Sequence, residues 1–196
     1  MVDPDQAIER HVADSLSALE LAFLSGAETI ADVGAGAGFP GLPLAIALPQ
    51  ARIDLLESVR RKCAVIERLA AASGTDNARA VPARAEDWAR EGGAEAYDVV
   101  TARAVAPLPV LCEYAAPLLA REGVLVCWKG VRNRDEERAG RVAAAELGLR
   151  AGEVRPVEPF RGARNRHLHT FLKVEPAPAR FPRRAGVAAK RPLGSD

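Results

Sequence analysis

The sequence predicts an α/β fold: a mostly parallel seven-stranded sheet with an antiparallel edge and helices on both faces. Three observations carry this. Short apolar runs alternate with stretches of helical periodicity along the chain, the order that builds a parallel sheet. The first run, Thr29–Val33, feeds into a glycine-rich turn and then Pro40, a strand–turn–helix junction of the kind that makes a nucleotide pocket. The last two runs, Leu149–Val157 and residues 167–174, follow each other without a helix between them, which places an antiparallel pair at one edge.

Residues 4–25 read as a helix, with Ile8, Val12, Leu16, Leu19 and Phe23 on one stripe at steps of three and four. Asp3 or Asp5 is placed to cap its start, and Gly26 to end it. Its charged face carries Arg10, His11 and Asp14, either solvated or turned to the ligand pocket. His11 by itself reads as a surface histidine.

The glycine turn is Asp32-Val-Gly34-Ala-Gly36-Ala-Gly38-Phe39-Pro40-Gly41. Its glycines allow positive φ and close approach of a ligand, and Pro40 suits the first turn of a helix running to about residue 48. The pattern also fits the dinucleotide G-x-G-x-x-G, which is weak alone. Two residues tilt the reading toward S-adenosylmethionine (SAM). Asp32 precedes the first glycine, where it meets a cationic ligand group or holds the turn through backbone N–H groups. Glu57 ends the second strand (residues 51–57), 23 residues after Gly34, close to the roughly 20-residue spacing of a carboxylate that grips ribose hydroxyls.

A helix follows over residues 59–72, with Val59, Cys63, Ile66 and Ala70 inward, and Gly74 ends it. Residues 77–81 form a weak third strand. The acidic turn Arg84-Ala85-Glu86-Asp87-Trp88 comes next, suited to contacts with an adenine. Strand four covers residues 97–101. It delivers Arg103 to the carboxyl edge of the sheet, where ligands bind in such folds. A helix over residues 108–119 and a fifth strand over 123–128 end in Lys129-Gly130, a second cation at that edge. A charged helix over 133–147 precedes the final strand pair, whose connecting loop 160–166 is basic. This element order is the Rossmann-like plan of SAM-dependent methyltransferases.

At 196 residues the chain fits one domain with a full core. Residues 1–175 are expected to form it. Residues 176–196, rich in Pro, Ala, Gly and Arg without periodicity, are expected to be a disordered basic tail. No apolar run approaches the ~20 residues of a membrane span, and the acidic N-terminus lacks the layout of a signal peptide. Cys63, Cys112 and Cys127 are scattered and read as buried small hydrophobes in a reducing cytoplasm, not a zinc site or disulfide frame. His167 and His169 share a strand face but have no third ligand, so no metal is expected. The net charge of +1 divides into −7 over residues 1–128 and +8 over residues 129–196, which predicts an anionic partner on one side. Nothing in the sequence demands more than a monomer.

Several stretches together resemble the RsmG (GidB) methyltransferases. They are Asp3-Pro4, Arg10-His11-Val-Ala-Asp14-Ser15-Leu16, the glycine turn with its Phe-Pro-Gly-Leu-Pro continuation, Arg84-Ala85-Glu86, Thr101-Ala102-Arg103-Ala104, Trp128-Lys129-Gly130 and Arg166-His167-Leu168. The resemblance implies methyl transfer from SAM to N7 of a guanine in 16S rRNA of the small ribosomal subunit. It implies that Gly34, Phe39, Ala85, Glu86 and Arg103 contact SAM, with Gly36 and Gly38 in the same turn. Arg84, Arg103, Lys129 and Arg166 then position RNA. Family members usually carry a further N-terminal helical segment, so this chain is expected to begin after it; the basic tail lies outside the shared pattern.

N7 of guanine is a lone-pair nucleophile with no proton to remove, so alignment suffices and no general base is expected; Arg103 orients the substrate. The sequence agrees, with no Asn-Pro-Pro-aromatic motif and no catalytic cysteine pair. Two other readings stay open: methylation of a small molecule or protein, and an inactive RNA-binding protein that keeps the fold.

Overall fold

In the computed structural model, which describes residues 4–194, β1 (Thr29–Val33) is the hub of the sheet. It pairs in parallel with β2 (Arg52–Leu56) on one side and β4 (Tyr97–Arg103) on the other. β3 (Ala78–Val81) extends the first side and β5 (Leu119–Lys129) the second, both in parallel. β7 (Arg166–Lys173) then runs antiparallel to β5, and β6 (Leu149–Val157) antiparallel to β7. The order is β3-β2-β1-β4-β5-β7-β6. It changes direction between β1 and β4, which opens a crevice beyond their carboxyl ends.

The central strands are mostly apolar because both faces are covered. Ile30, Ile53 and Val126 share one core with Leu44 of α2 (Gly41–Ala47) and Ile66 of α3 (Arg60–Ala72). Ala31, Val33, Val100 and Leu125 share the other with Ala89 of α4 (Ala85–Glu91), Leu111 of α5 (Leu108–Ala115) and Ala143 of α6 (Arg134–Glu146). All three cysteines are buried, and burial pushes the Cys112 and Cys127 thiols up, away from the reactive thiolate. Among the described residues no helix is long and apolar enough to cross a membrane.

Three expectations are corrected here. The N-terminal stripe does not form one helix. α1 (Pro4–Leu16) stops early, and two 3-10 turns follow, Ser17–Glu20 and Ala22–Gly26. Ser17 Oγ donates to the Asp14 carbonyl at 2.6 Å, a local bond that competes with helix continuation. The buried set becomes Ala18, Leu21 and Leu24, while Leu19 and Phe23 stay exposed. The candidate cap Asp3 lies outside the described residues.

Residues 84–88 do not form an isolated turn. Arg84 flanks α4, and Glu86 and Asp87 occupy its first turn, where acidic side chains suit the helix dipole.

Residues 176–194 are packed, not disordered. Phe181 and Ala188 of α7 (Val187–Lys190) are buried against the α4–α5 side of the sheet. Arg183 Nε donates at 2.7 Å to Glu113 on α5, a carboxylate with no exposed surface. Gly186 N–H donates to Glu86 Oε1 at 2.9 Å. The tail lacks periodicity because it is fastened at single anchors, and the buried Glu113 would lack a counter-ion without it.

Candidate active site

β1 runs straight into the glycine turn, whose first two amides, Gly34 N–H and Ala35 N–H, donate to the Leu56 carbonyl of β2 at 2.9 and 3.1 Å. Gly34 has φ +69°, and a Cβ there would meet Val105 at 2.7 Å, so the absent side chain lets the loop after β4 close beside the turn. Gly36 has φ +61° and nothing nearer its Cβ position than the Gly34 carbonyl at 3.8 Å. A side chain there would occupy the crevice instead of striking the fold, so this turn fits a ligand lying along it.

Asp32 resolves the alternative left open by its spacing. It is fully buried, with Oδ2 accepting from Gly41 N–H at 2.9 Å and Oδ1 from the Thr101 hydroxyl at 3.0 Å. Burial raises its pKa to about 7, against the opposing pull of those two donors and of Arg103. It anchors the start of α2 from behind the turn and does not face the crevice.

Glu57 sits one residue past β2. Its Oε2 accepts from Gly36 N–H at 3.1 Å and its Oε1 from Val59 N–H at 2.9 Å. The carboxylate therefore holds the middle of the glycine turn, with acceptor capacity beyond these two bonds.

Beyond the ends of β1, β4 and β5 lies a cavity of about 840 Å³. Gly34, Gly36, Phe39, Arg103, Lys129 and Arg166, all singled out in the sequence, line it together. Arg103 closes β4, donates to Asp14 at 3.0 Å and lies 5.5 Å from the centre of the Phe39 ring. Lys129 reaches Glu136 at 2.6 Å. The other sequence candidates, Asp32, Gly38, Glu57, Arg84, Ala85 and Glu86, are not on these walls. Arg84 is exposed at the α4 end, and the Glu86 side chain is buried toward Gly186.

Sequence reasoning left several wall residues open or missed them. Arg10, His11 and Asp14 turn their side of α1 into the cavity, the alternative that their spacing at positions 10, 11 and 14 allowed. The His11 ring lies 5.7 Å from that of Phe39. Phe160, in the basic loop, carries Arg10 over its ring at 5.6 Å. Five cations, Arg10, Lys62, Arg103, Lys129 and Arg166, surround the cavity against one carboxylate, Asp14. Such a site can take an anionic chain at its rim and stack a planar group on Phe39 or His11. Among the described residues no cluster could hold a metal ion.

The family model described as GidB, rRNA small subunit methyltransferase G, matches residues 1–167. The ribosomal RNA small subunit methyltransferase G of Rubrobacter xylanophilus is 42% identical over 195 residues, covering 97% of this chain and 75% of that protein. That of Deinococcus radiodurans is 42% identical over 190 residues, covering 96% and 75%. Among solved structures, the mitomycin 7-O-methyltransferase MmcR superposes with a TM-score of 0.69 at 16% identity, over 84% of this chain and 54% of that one. At such low identity the likeness concerns the fold.

Proposed function

The chain belongs to the rRNA small subunit methyltransferase G family, and from that premise we propose that it transfers a methyl group from SAM to N7 of a guanine in 16S rRNA. The observation that supports this best is the adjacency of two half-sites. The glycine turn backed by Glu57 forms one, and the cation-lined cavity the other, with Gly34, Gly36 and Phe39 shared between them.

SAM supplies an electrophilic methyl group on a sulfonium sulfur. In this reading Glu57 accepts from its ribose hydroxyls, and the Gly34–Gly36 backbone leaves room for the amino-acid part. The nucleobase extends along the carboxyl edge toward β3, where Ala85 and Glu86 begin α4. Arg103, with Lys129 and Arg166, holds RNA phosphates so that the guanine enters the cavity beside Phe39 and His11. N7 then attacks the methyl carbon as the carbon–sulfur bond breaks, leaving a cationic base and a neutral thioether. No proton moves, so no group at the site need titrate for turnover. The fixed side chains contribute by alignment and exclusion of water.

The test is methyl transfer from labelled SAM by the purified chain, offered 16S rRNA, 23S rRNA and assembled small subunits. Label in 16S rRNA or the small subunit alone is expected. Label in protein or small molecules only, or in no acceptor, contradicts the proposal.

A further inference from the structure

Two groups of exposed cations flank the cavity, one on each side. On the β7 side stand Arg161, Arg164 and Arg166, the first two in the basic loop and the third on the cavity wall. On the β2 side, α3 opens with Arg60, Arg61 and Lys62 in its first turn. All three are exposed, and Lys62 shares the cavity wall with Gly34 and Gly36.

The α3 group departs from its surroundings on three counts. Residues 1–59 hold nine acids against two basic residues, Arg10 and Arg52, so three consecutive cations reverse the local charge. The first turn of a helix favours acidic side chains. α4 and α6 carry them there, whereas α3 has neither an acid nor a side-chain cap. Among the described residues Arg60 and Arg61 have no ion-pair partner. Surface cations elsewhere find one within their own helix, as Arg90 does with Asp87 and Arg138 with Asp135. Two guanidinium groups are thus left open to an outside anion.

The separation of the two groups limits what that anion can be. β2 and β7 are four strand spacings apart in the order β2-β1-β4-β5-β7, roughly 19 Å at about 4.8 Å each. A single phosphate or nucleotide cannot touch both groups. A stacked strand rises about 3.4 Å per nucleotide, so about five or six nucleotides bridge the gap.

We propose that RNA crosses the mouth of the cavity from one group to the other. Arg60 and Arg61 hold phosphates on one flank of the target guanine, and Arg161 and Arg164 hold those on the other. This rests on the methyl-transfer reading above and adds the path of the substrate strand.

The test compares wild type with Arg60→Gln/Arg61→Gln, Arg161→Gln/Arg164→Gln and a control, Arg121→Gln/Arg150→Gln. Arg121 and Arg150 are exposed at the opposite edge of the sheet. Affinity for 16S rRNA is measured at several salt concentrations with S-adenosylhomocysteine present, and methyl transfer in the steady state. In each flanking variant the slope of log affinity against log salt should shrink by about two, one per lost phosphate contact. KM for 16S rRNA should rise about 10-fold. At saturating RNA, kcat should stay within twofold, and so should SAM affinity, because none of these four arginines lines the cavity. The control should match wild type throughout.

An unchanged slope and KM in either flanking variant overturns the proposal, because the strand would then engage one side only. An equal change in the control overturns it as well, marking the attraction as one of net charge. So does a loss of SAM affinity in Arg60→Gln/Arg61→Gln, since α3 would then be acting through the Glu57 turn. If wild type transfers no methyl group to 16S rRNA, the methyl-transfer reading has failed, and the salt slopes still decide where RNA lies. Absence of 16S rRNA binding by wild type overturns both.

Discussion

Arg103 Nη1 stands 3.0 Å from Asp14 Oδ2, so the last residue of β4 is tied to a helix 89 positions earlier in the chain. Both side chains are mostly shielded, at 14% and 13% exposed. Arg103→Met breaks the tie and removes the guanidinium from beside Phe39. Single-turnover methyl transfer to 16S rRNA is expected to fall about 100-fold, as for loss of a substrate-positioning group. A rate within threefold of wild type would show that Arg103 is only a structural ion-pair partner.

Glu57 carries two loads, the glycine turn and, in the proposed reading, the ribose. Glu57→Gln keeps one acceptor for Gly36 N–H but loses the charge. Calorimetry should show SAM affinity lowered about 10-fold, with little change in 16S rRNA affinity. Equal losses of both affinities would mean that the substitution had disturbed the turn as a whole.

Asp32 makes stability depend on pH. Its folded pKa of about 7 lies above the ordinary value of 3.8, so the folded chain binds this proton more tightly than the unfolded one. The associated stability is fully present below pH 4 and is lost as pH rises through 7. Asp32→Asn preserves an acceptor for Gly41 N–H and carries no charge to desolvate. Urea denaturation should find it more stable than wild type at pH 8, by up to about 4 kcal/mol, with the gap closing toward pH 4. A variant less stable than wild type at pH 8 would show that the charged form is the one the fold prefers.

The packed tail gives a stability prediction. Arg183→Met leaves Glu113, which has no exposed surface, without its ion-pair partner. The expected cost is about 3 kcal/mol, largely recovered in the double variant with Glu113→Leu. Denaturation curves of the two variants check this. An Arg183→Met protein as stable as wild type would return the tail to the disordered state inferred from its composition.

The sheet was legible because buried parallel strands read as continuous apolar runs, and all seven lie within a few residues of their expected positions. The glycine turn was legible for a related reason: positive φ at Gly34 and Gly36 narrows the residues that serve there. What escaped the sequence depends on distance through space. The break after Leu16 turns on one hydroxyl, Ser17 Oγ, bonding backward. The order of the tail turns on Arg183 finding Glu113, 70 positions away. The place of Asp14 on the cavity wall needs Trp128 and Arg103 to arrive from two strands far along the chain. Asp32 was ambiguous because a carboxylate before a glycine can face the ligand or the helix behind it, and only burial tells these apart.

The most direct test of the central claim is the identity of the methylated nucleoside. After reaction of 16S rRNA with SAM and the purified chain, the RNA is digested to nucleosides and analysed by mass spectrometry against standards. In the proposed reading N7 is methylated without loss of a proton, so 7-methylguanosine is expected as the sole product. A product methylated at guanine N1 or N2, each of which must shed a proton, or at cytosine or adenine, would contradict the account.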